Sequence, residues 1–391
     1  MVRVLWFHPR QVLPPRGGGD LRTSGLLRGV LAAGHEVLFV QPDNGLPSGP
    51  VLAGAEFVTV DQWHAPALAV AKVLSRSALR SPRLAPSARA RTKTRIARFR
   101  PQVAIVSEVM ARPLADALLP PGVPWIYDAH NLEGDLFAAH VDAATRPAER
   151  VTLSVDQARV SASERRLARG ADAVLAVSEH DASGLRRMAP GVDVVVAPSS
   201  MEAPAVPDRP GEAPPTALFV GTLDFTPNVQ ALDWLFDEIV PGLRTRVPES
   251  RILVVGRRPL ERHRRLLETT TGVEFWEDAP DIAAAYATAR CVLMPFQTAS
   301  GTKLKAYEAL AHGVPLVTTP QGIHGVDVRP ETDVLVADGA DDLVLAATRL
   351  LTDPRLAAEY GSAGRRAFEE RLSWQGATWP QVNALIERLV S

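Results

Sequence analysis

The sequence predicts an α/β protein made of two doubly wound halves, each a largely parallel sheet with helices on both faces. Three observations carry this. Short apolar runs rich in Val, Ile and Leu alternate with helical patterns along most of the chain, as strand–helix–strand units do. A Pro-rich stretch without periodicity, PSSMEAPAVPDRPGEAPP (198–215), interrupts that alternation as a linker would. The chain has 391 residues, more than one ordinary core holds, so two domains of roughly 200 residues are expected.

Taken in order, the first half offers the strands VRVLWF (2–7), HEVLFV (35–40), EFVTV (56–60), VAIVS (103–107), VPWIYD (123–128), ADAVLAVS (171–178) and VDVVVA (192–197). Helical stretches separate most of them; LRTSGLLRGVLAAG ends at a helix-stop glycine, Gly34. The second half restarts with TALFVG (216–221), RILVVG (251–256), GVEFW (272–276), RCVLMPF (290–296), VPLVTT (314–319) and DVLVA (333–337). Helices follow from Asp341. The expected division is a first domain over 1–198, a linker over 199–215, a second domain over 216–372, and a C-terminal helix over 373–391 that could cross back to the first. Two such halves imply a cleft, with ligands outside the carboxyl ends of the strands.

Composition narrows the function. The formal net charge of −1 gives no global field for nucleic acid. The single cysteine, Cys291, excludes an internal disulfide and fits a reducing, cytoplasmic setting. No apolar run approaches the ~18 residues that span a bilayer, and the chain enters a strand at once, so no signal peptide is expected. An Ala-, Arg- and Pro-rich composition points to a GC-rich bacterial genome. The stretch 75–100 is basic and lacks acids; Arg89, Arg91, Lys93, Arg95, Arg98 and Arg100 crowd together with Phe99 as the one aromatic. Few aromatics weigh against nucleic acid. A peripheral contact with anionic lipid at the inner membrane face, an anionic acceptor and a solvated helix face all fit.

The most informative segment is SGTKLKAYEALAHGVPLVTT (300–319). It follows the carboxyl end of strand RCVLMPF, and a helix starts near Thr302 or Lys303. Ser300 or Thr302 can cap it, and Gly301 admits a ligand close to the backbone. Free N–H groups and the helix dipole favour an anion there, with Lys303 adding charge. Glu308 stands about 9 Å further along. A diphosphate at the turn and a ribose donating to Glu308 suit that spacing. Lys305 and Glu308 could equally pair with each other at i, i+3.

The resemblance sharpens this. Residues 290–327, together with FVGTLDFTPNVQALDWLFDEIVPGLR (219–244), ILVVGRRP (252–259), WIYDAHNLEGDL (125–136) and ADAVLAVSEHD (171–181), resemble the retaining glycosyltransferases of family four, glycosyl transferases group 1. The similarity covers nearly the whole chain in order. It implies the GT-B fold, two doubly wound Rossmann-like domains facing a cleft. It also implies a nucleotide-diphosphate sugar, UDP-linked or another, held mainly by the second domain. The acceptor is placed mainly by the first, and transfer retains anomeric configuration. No cofactor or metal is expected beyond the donor.

Carried over residue by residue, Glu308 matches the second glutamate of the family's Glu-x7-Glu motif, the ribose ligand. The first glutamate's place holds Ser300, so Gly301 and Thr302 amides would contact sugar or phosphate instead. Where many relatives carry an Arg and a Lys against the diphosphate, Thr222 and Thr226/Pro227 stand. Charge still grows on the leaving group; Lys303 is the first choice to meet it, then Lys305 and Arg257 or Arg258, two arginines that could also be a solvated loop pair. Gly221, in FVGT, belongs to the same donor-binding set. His130 of DAHN matches the histidine that touches donor sugar and phosphate, so His130 and Lys303 are the expected catalytic pair. Asn131 and Glu133 are acceptor-side candidates, though Glu133 could simply begin a helix. PRGGGD matches a glycine-rich loop, in which Gly18 and Gly19 would contact donor phosphate or acceptor. Asp20 and Arg22 could contact acceptor or simply begin the next helix. Surface-polysaccharide, lipid-linked-sugar and natural-product acceptors all remain open. So do a nucleotide-sugar epimerase on the same fold, which would need extra cleft acids, and a catalytically silent relative that binds a partner.

Overall fold

A computed structural model describes residues 1–14, 18–43, 52–60, 62–63, 83–144, 146–204, 214–298 and 304–391. The chain forms two compact units. One comprises Met1–Ser199 with Ala377–Ser391, the other Ser200–Gly376.

In the first unit the strands are β1 (Arg3–Phe7), β2 (Glu36–Pro42), β3 (Ala55–Val60), β6 (Val103–Ser107), β7 (Trp125–Asp128), β8 (Ala173–Ala176) and β9 (Asp193–Val196), with a separate pair, β4 (Gln62–Trp63) and β5 (Arg83–Leu84). The seven pair in parallel in the order β3-β2-β1-β6-β7-β8-β9. Helices cover both faces, so the strands read as unbroken apolar runs rather than alternating ones. Leu5, Phe7, Leu38, Val40, Ala104 and Val106 are all fully buried. The order reverses between β1 and β6, the switch point at which such sheets open a crevice.

The second unit repeats the plan with β10 (Thr216–Thr222), β11 (Arg251–Arg257), β12 (Val273–Glu277), β13 (Cys291–Met294), β14 (Leu316–Thr318) and β15 (Leu335–Val336). All pair in parallel in the order β12-β11-β10-β13-β14-β15. Its switch point falls between β10 and β13. Cys291 is buried there, and burial pushes its thiol up to about 12. A thiol so held is inert as a nucleophile at neutral pH.

The helix Trp379–Val390 belongs to the first unit and packs on helix Gly18–Ala32. Trp379 Nε1 donates to the Gly25 carbonyl at 2.9 Å. Its ring lies so close to Gly29 that a β-carbon there would stand 2.2 Å from Cδ1. Overpacking of this kind costs about 1–3 kcal/mol. Gly29→Ala is therefore expected to lower the melting temperature and to make residues 377–391 the first site of limited proteolysis. An unchanged digestion pattern would contradict the packing.

Helix Pro86–Phe99 buries Ala88, Thr92 and Ile96, four residues apart, and turns its basic residues outward. Arg95 pairs with Glu56. Residues 75–82 of the basic stretch lie outside the described residues. Among the described residues no helix is long and apolar enough to cross a membrane.

Candidate functional site

Each unit gathers polar groups at the carboxyl ends of its central strands. In the first unit they come from four segments: the turn after β1, the start of helix Gly18–Ala32, the residue after β6, and the end of β7. Asp128 is fully buried and accepts from Arg22 Nε at 3.0 Å and Nη2 at 2.7 Å, from Ser107 Oγ at 2.9 Å, and faces His130 Nε2 at 2.9 Å. Arg22, also buried, donates its remaining Nη1 to the Ala197 carbonyl at 2.6 Å. Every charge in this group is therefore partnered, which is the condition for burying charge at all.

Arg10 grips Glu108 with two bonds, 2.8 and 2.6 Å, and holds Asp20 through Nε at 2.7 Å. His130 Nδ1 lies 3.1 Å from Glu108 Oε1 without a hydrogen bond between them, so that attraction is chiefly Coulombic. Burial disfavours the charge on His130; the Asp128 and Glu108 carboxylates outweigh it and raise the ring to about 9. Burial likewise opposes ionisation of Glu108, yet His130 and Arg10 bring it down to about 2. Asp128 falls well below the usual carboxylate range, burial being overcome by Arg22 and His130.

Gly18 and Gly19 do not form a loop. They are the first residues of helix Gly18–Ala32, and Gly17 lies outside the described residues. Tertiary contacts override weak helix propensity: Asp20, in the first turn, is fixed by Arg10. A β-carbon at Gly19 would stand 2.8 Å from Arg10 Nη2, 2.9 Å from Glu108 Oε1 and 3.1 Å from His130 Nδ1. Only glycine lets the helix start so near the cluster.

Asn131 is exposed and donates to Glu133 at 3.3 Å. Glu133 begins helix Glu133–Ala143. The amides of Glu133 and Gly134 donate to the Glu164 carboxylate at 2.8 and 3.1 Å. Burial raises Glu164 to about 7 despite those amides.

In the second unit a cavity of about 470 Å³ opens at the β10–β13 switch point. Thr222, Asp224, Phe225, Pro227 and Asn228 line it from the end of β10 and the helix Thr226–Trp234. Phe296 and Thr298 follow β13, Leu304 and Lys305 open helix Leu304–Ala311, and Arg258 follows β11. Arg258 pairs with Asp224 at 3.1 Å, whereas Arg257 is exposed at the strand end and does not line the cavity. Gly221 sits under Asn228, whose amide would be 2.9 Å from a β-carbon there. Asn228 Nδ2 in turn donates to the Thr222 carbonyl at 2.8 Å.

Glu308 receives bonds from Tyr286 Oη at 3.1 Å and Lys305 Nζ at 3.2 Å on the same oxygen, Oε2. The i, i+3 pair is thus formed, half-buried rather than on an open face. Tyr286 is buried and stacks on His312, rings 4.4 Å apart and 4° from parallel. Ser300, Gly301, Thr302 and Lys303 lie outside the described residues. Among the described residues no group of three His, Cys, Asp or Glu side chains is placed to hold a metal ion.

Residues that sequence reading passed over include Glu108, Asp128, Arg10, Tyr286, Asp224 and Phe225. Glu108 and Asp128 each follow or end an apolar strand run, and an acid at that position was the available signal. Tyr286 gave none, because its phenol meets Glu308 only through the fold.

The comparisons with known proteins fit this arrangement. Residues 17–200 match the family described as glycosyl transferase 4-like domain, and residues 214–353 match glycosyl transferases group 1. Together the two matches take in both units. The chain belongs to the glycosyl transferases of group 1.

Like other proteins of the fold, this group 1 member aligns along its whole length with solved structures. Sucrose-phosphate synthase from Thermosynechococcus elongatus gives a TM-score of 0.67 at 18% identity, covering 100% of this chain and 99% of that one. Anabaena HepE in complex with UDP and glucose gives 0.62 at 12% identity, covering 99% and 100%. At such identities the likeness shows the GT-B fold alone. A GDP-mannose-dependent alpha-(1-6)-phosphatidylinositol monomannoside mannosyltransferase of Mycolicibacterium smegmatis is 32% identical over 150 residues, 35% of this chain and 39% of that protein. That match spans well under half of either protein.

Proposed function

We propose that the chain transfers a sugar from a nucleotide-diphosphate sugar to an acceptor hydroxyl with retention of anomeric configuration. The observation that carries this reading is the cavity at the β10–β13 switch point, lined by Arg258 and Lys305 and beside the segment that bears Glu308. Open parallel sheets take nucleotides at such positions. In this reading Glu308 exchanges Lys305 and Tyr286 for ribose hydroxyls. Lys305 is then released toward the diphosphate, with Lys303 and Arg258. These cations stand in for the arginine and lysine whose places Thr222 and Thr226/Pro227 take, and they meet charge as it develops on the leaving group. His130 supplies a fixed positive charge in the first unit. The name of the mycobacterial relative favours GDP-mannose and that of the HepE complex favours UDP. The acceptor is a surface glycan, a lipid-linked sugar or a natural product.

The test is turnover. Incubation with UDP- and GDP-sugars should release nucleoside diphosphate, slowly to water and faster with an accepted alcohol. Proton NMR of the first product should show the donor's own anomeric configuration. Inverted product would overturn retention, and no release with any donor would overturn the activity.

We further propose that the outward basic face of helix Pro86–Phe99, with Lys93 and Arg98 exposed, rests on anionic lipid. Each basic residue at such a surface contributes about 1 kcal/mol. Flotation with phosphatidylglycerol vesicles at low salt should carry the wild-type chain upward and leave the double variant Lys93→Glu/Arg98→Glu behind. Equal flotation of the two would contradict the assignment.

A further inference from the structure

His130 faces a carboxylate through each ring nitrogen. Nε2 is 2.9 Å from Asp128 Oδ2, and Nδ1 is 3.1 Å from Glu108 Oε1. A neutral imidazole carries one N–H and presents a lone pair from the other nitrogen. A lone pair on Nδ1 would lie 3.1 Å from a carboxylate oxygen with no water between, because the ring is buried. Only the doubly protonated ring both donates to Asp128 and sets a positive charge against Glu108, an attraction that at Nδ1 is Coulombic.

Neither carboxylate is free to turn away. Asp128 is fixed by Arg22 and Ser107. Glu108 is fixed by both terminal nitrogens of Arg10, and Arg10 by Asp20. The Glu108 backbone sits at φ 65, ψ 151, a region that a residue with a side chain occupies only when its surroundings impose it. The other titratable neighbours do not supply the second proton acceptor. His8 places Nδ1 2.8 Å from the Arg10 carbonyl, so Nδ1 carries its proton, and its Nε2 is 3.8 Å from Glu108. Glu133, at the start of the following helix, is joined to Asn131.

We propose that Glu108 is a positioning residue: with Asp128 it holds His130 as a fixed imidazolium, and Arg10 keeps Glu108 in place. His130 is then a permanent cation at the floor of the first unit and is not a base that accepts the acceptor's proton. The catalytic meaning of this rests on the reading of His130 as a donor contact; the charge state of the ring does not.

Long-range nitrogen–proton NMR of the imidazoles, followed from pH 5.5 to 10 on the full chain, tests it without any substrate. In wild type both nitrogens of His130 should stay protonated past pH 8. Glu108→Gln, which keeps shape and removes charge, should bring the midpoint down by about one unit or more, and Glu108→Asp should restore part of it. A wild-type ring with a single proton at pH 7 would overturn the proposal even if the variants failed to fold. So would an unmoved midpoint in a Glu108→Gln protein whose circular dichroism is native. An enzyme that fails to turn over donor while His130 titrates as stated would sink the proposed function and leave this inference standing.

Discussion

Asp128→Ala is expected to destabilise the first unit by about 3–5 kcal/mol, the usual result of removing one member of a buried ion pair. Four groups lose their acceptor at once: two guanidinium nitrogens of Arg22, the Ser107 hydroxyl and His130 Nε2. Arg22 is 1% exposed, so water cannot replace what is lost. Hydrogen exchange should show β1, β6 and β7 amides opening first while β10, β11 and β13 remain protected. The pH dependence follows from the same group. Asp128 titrates below its ordinary value in the folded chain, so its stabilisation is present at neutral pH and disappears as pH falls through the folded value. His130 is raised from 6.5 to about 9, so its contribution is complete below pH 6.5 and is lost as pH climbs toward 9. Wild-type melting temperature should thus fall more steeply between pH 6.5 and 9 than that of His130→Gln. Parallel curves would contradict the charged cluster.

Glu308→Ala should leave the second unit folded, at a modest cost in stability, and abolish most nucleotide affinity. Lys305 is 32% exposed at its side chain, so water takes over its pairing, whereas the buried Tyr286 hydroxyl loses its acceptor, a loss of about 1–3 kcal/mol. A hydrogen bond from ribose to a carboxylate is worth about 1.5–3 kcal/mol, which is about 10- to 100-fold in Kd. Calorimetry of nucleoside diphosphate binding would read this directly. The loss should be equal for diphosphate and sugar-diphosphate, since the ribose is common to both. A variant that binds as tightly as wild type would remove Glu308 from the site.

The architecture was legible because both sheets are buried on both faces. That burial writes VAIVS, RILVVG and RCVLMPF as continuous apolar runs, and the runs mark the strands wherever a turn follows. The cluster around His130 was less so. Its members come from residues 10, 20, 22, 108, 128 and 130, and no local pattern links a residue after β1 to one after β6. Only the fold's switch point brings them together. The glycine run misled for a related reason. Gly18 and Gly19 look like loop residues by propensity, whereas packing against Arg10 and Glu108 decides their conformation. In the second unit the Lys305–Glu308 spacing was readable, but Tyr286 enters from a different helix. Arg257 and Arg258 were indistinguishable in sequence, and strand geometry turns only Arg258 into the cavity lining.

In the proposed function, the second unit binds a nucleoside diphosphate at the β10–β13 switch point. The most direct measurement is a thermal-shift panel of UDP, GDP, dTDP and ADP with their common sugars, run with and without Mg²⁺ and confirmed by calorimetry. One base family should raise the melting temperature, and the rise should be absent in Glu308→Ala. No shift for any nucleotide in a well-folded wild-type chain would contradict it, and would direct attention to a protein partner in place of a sugar donor.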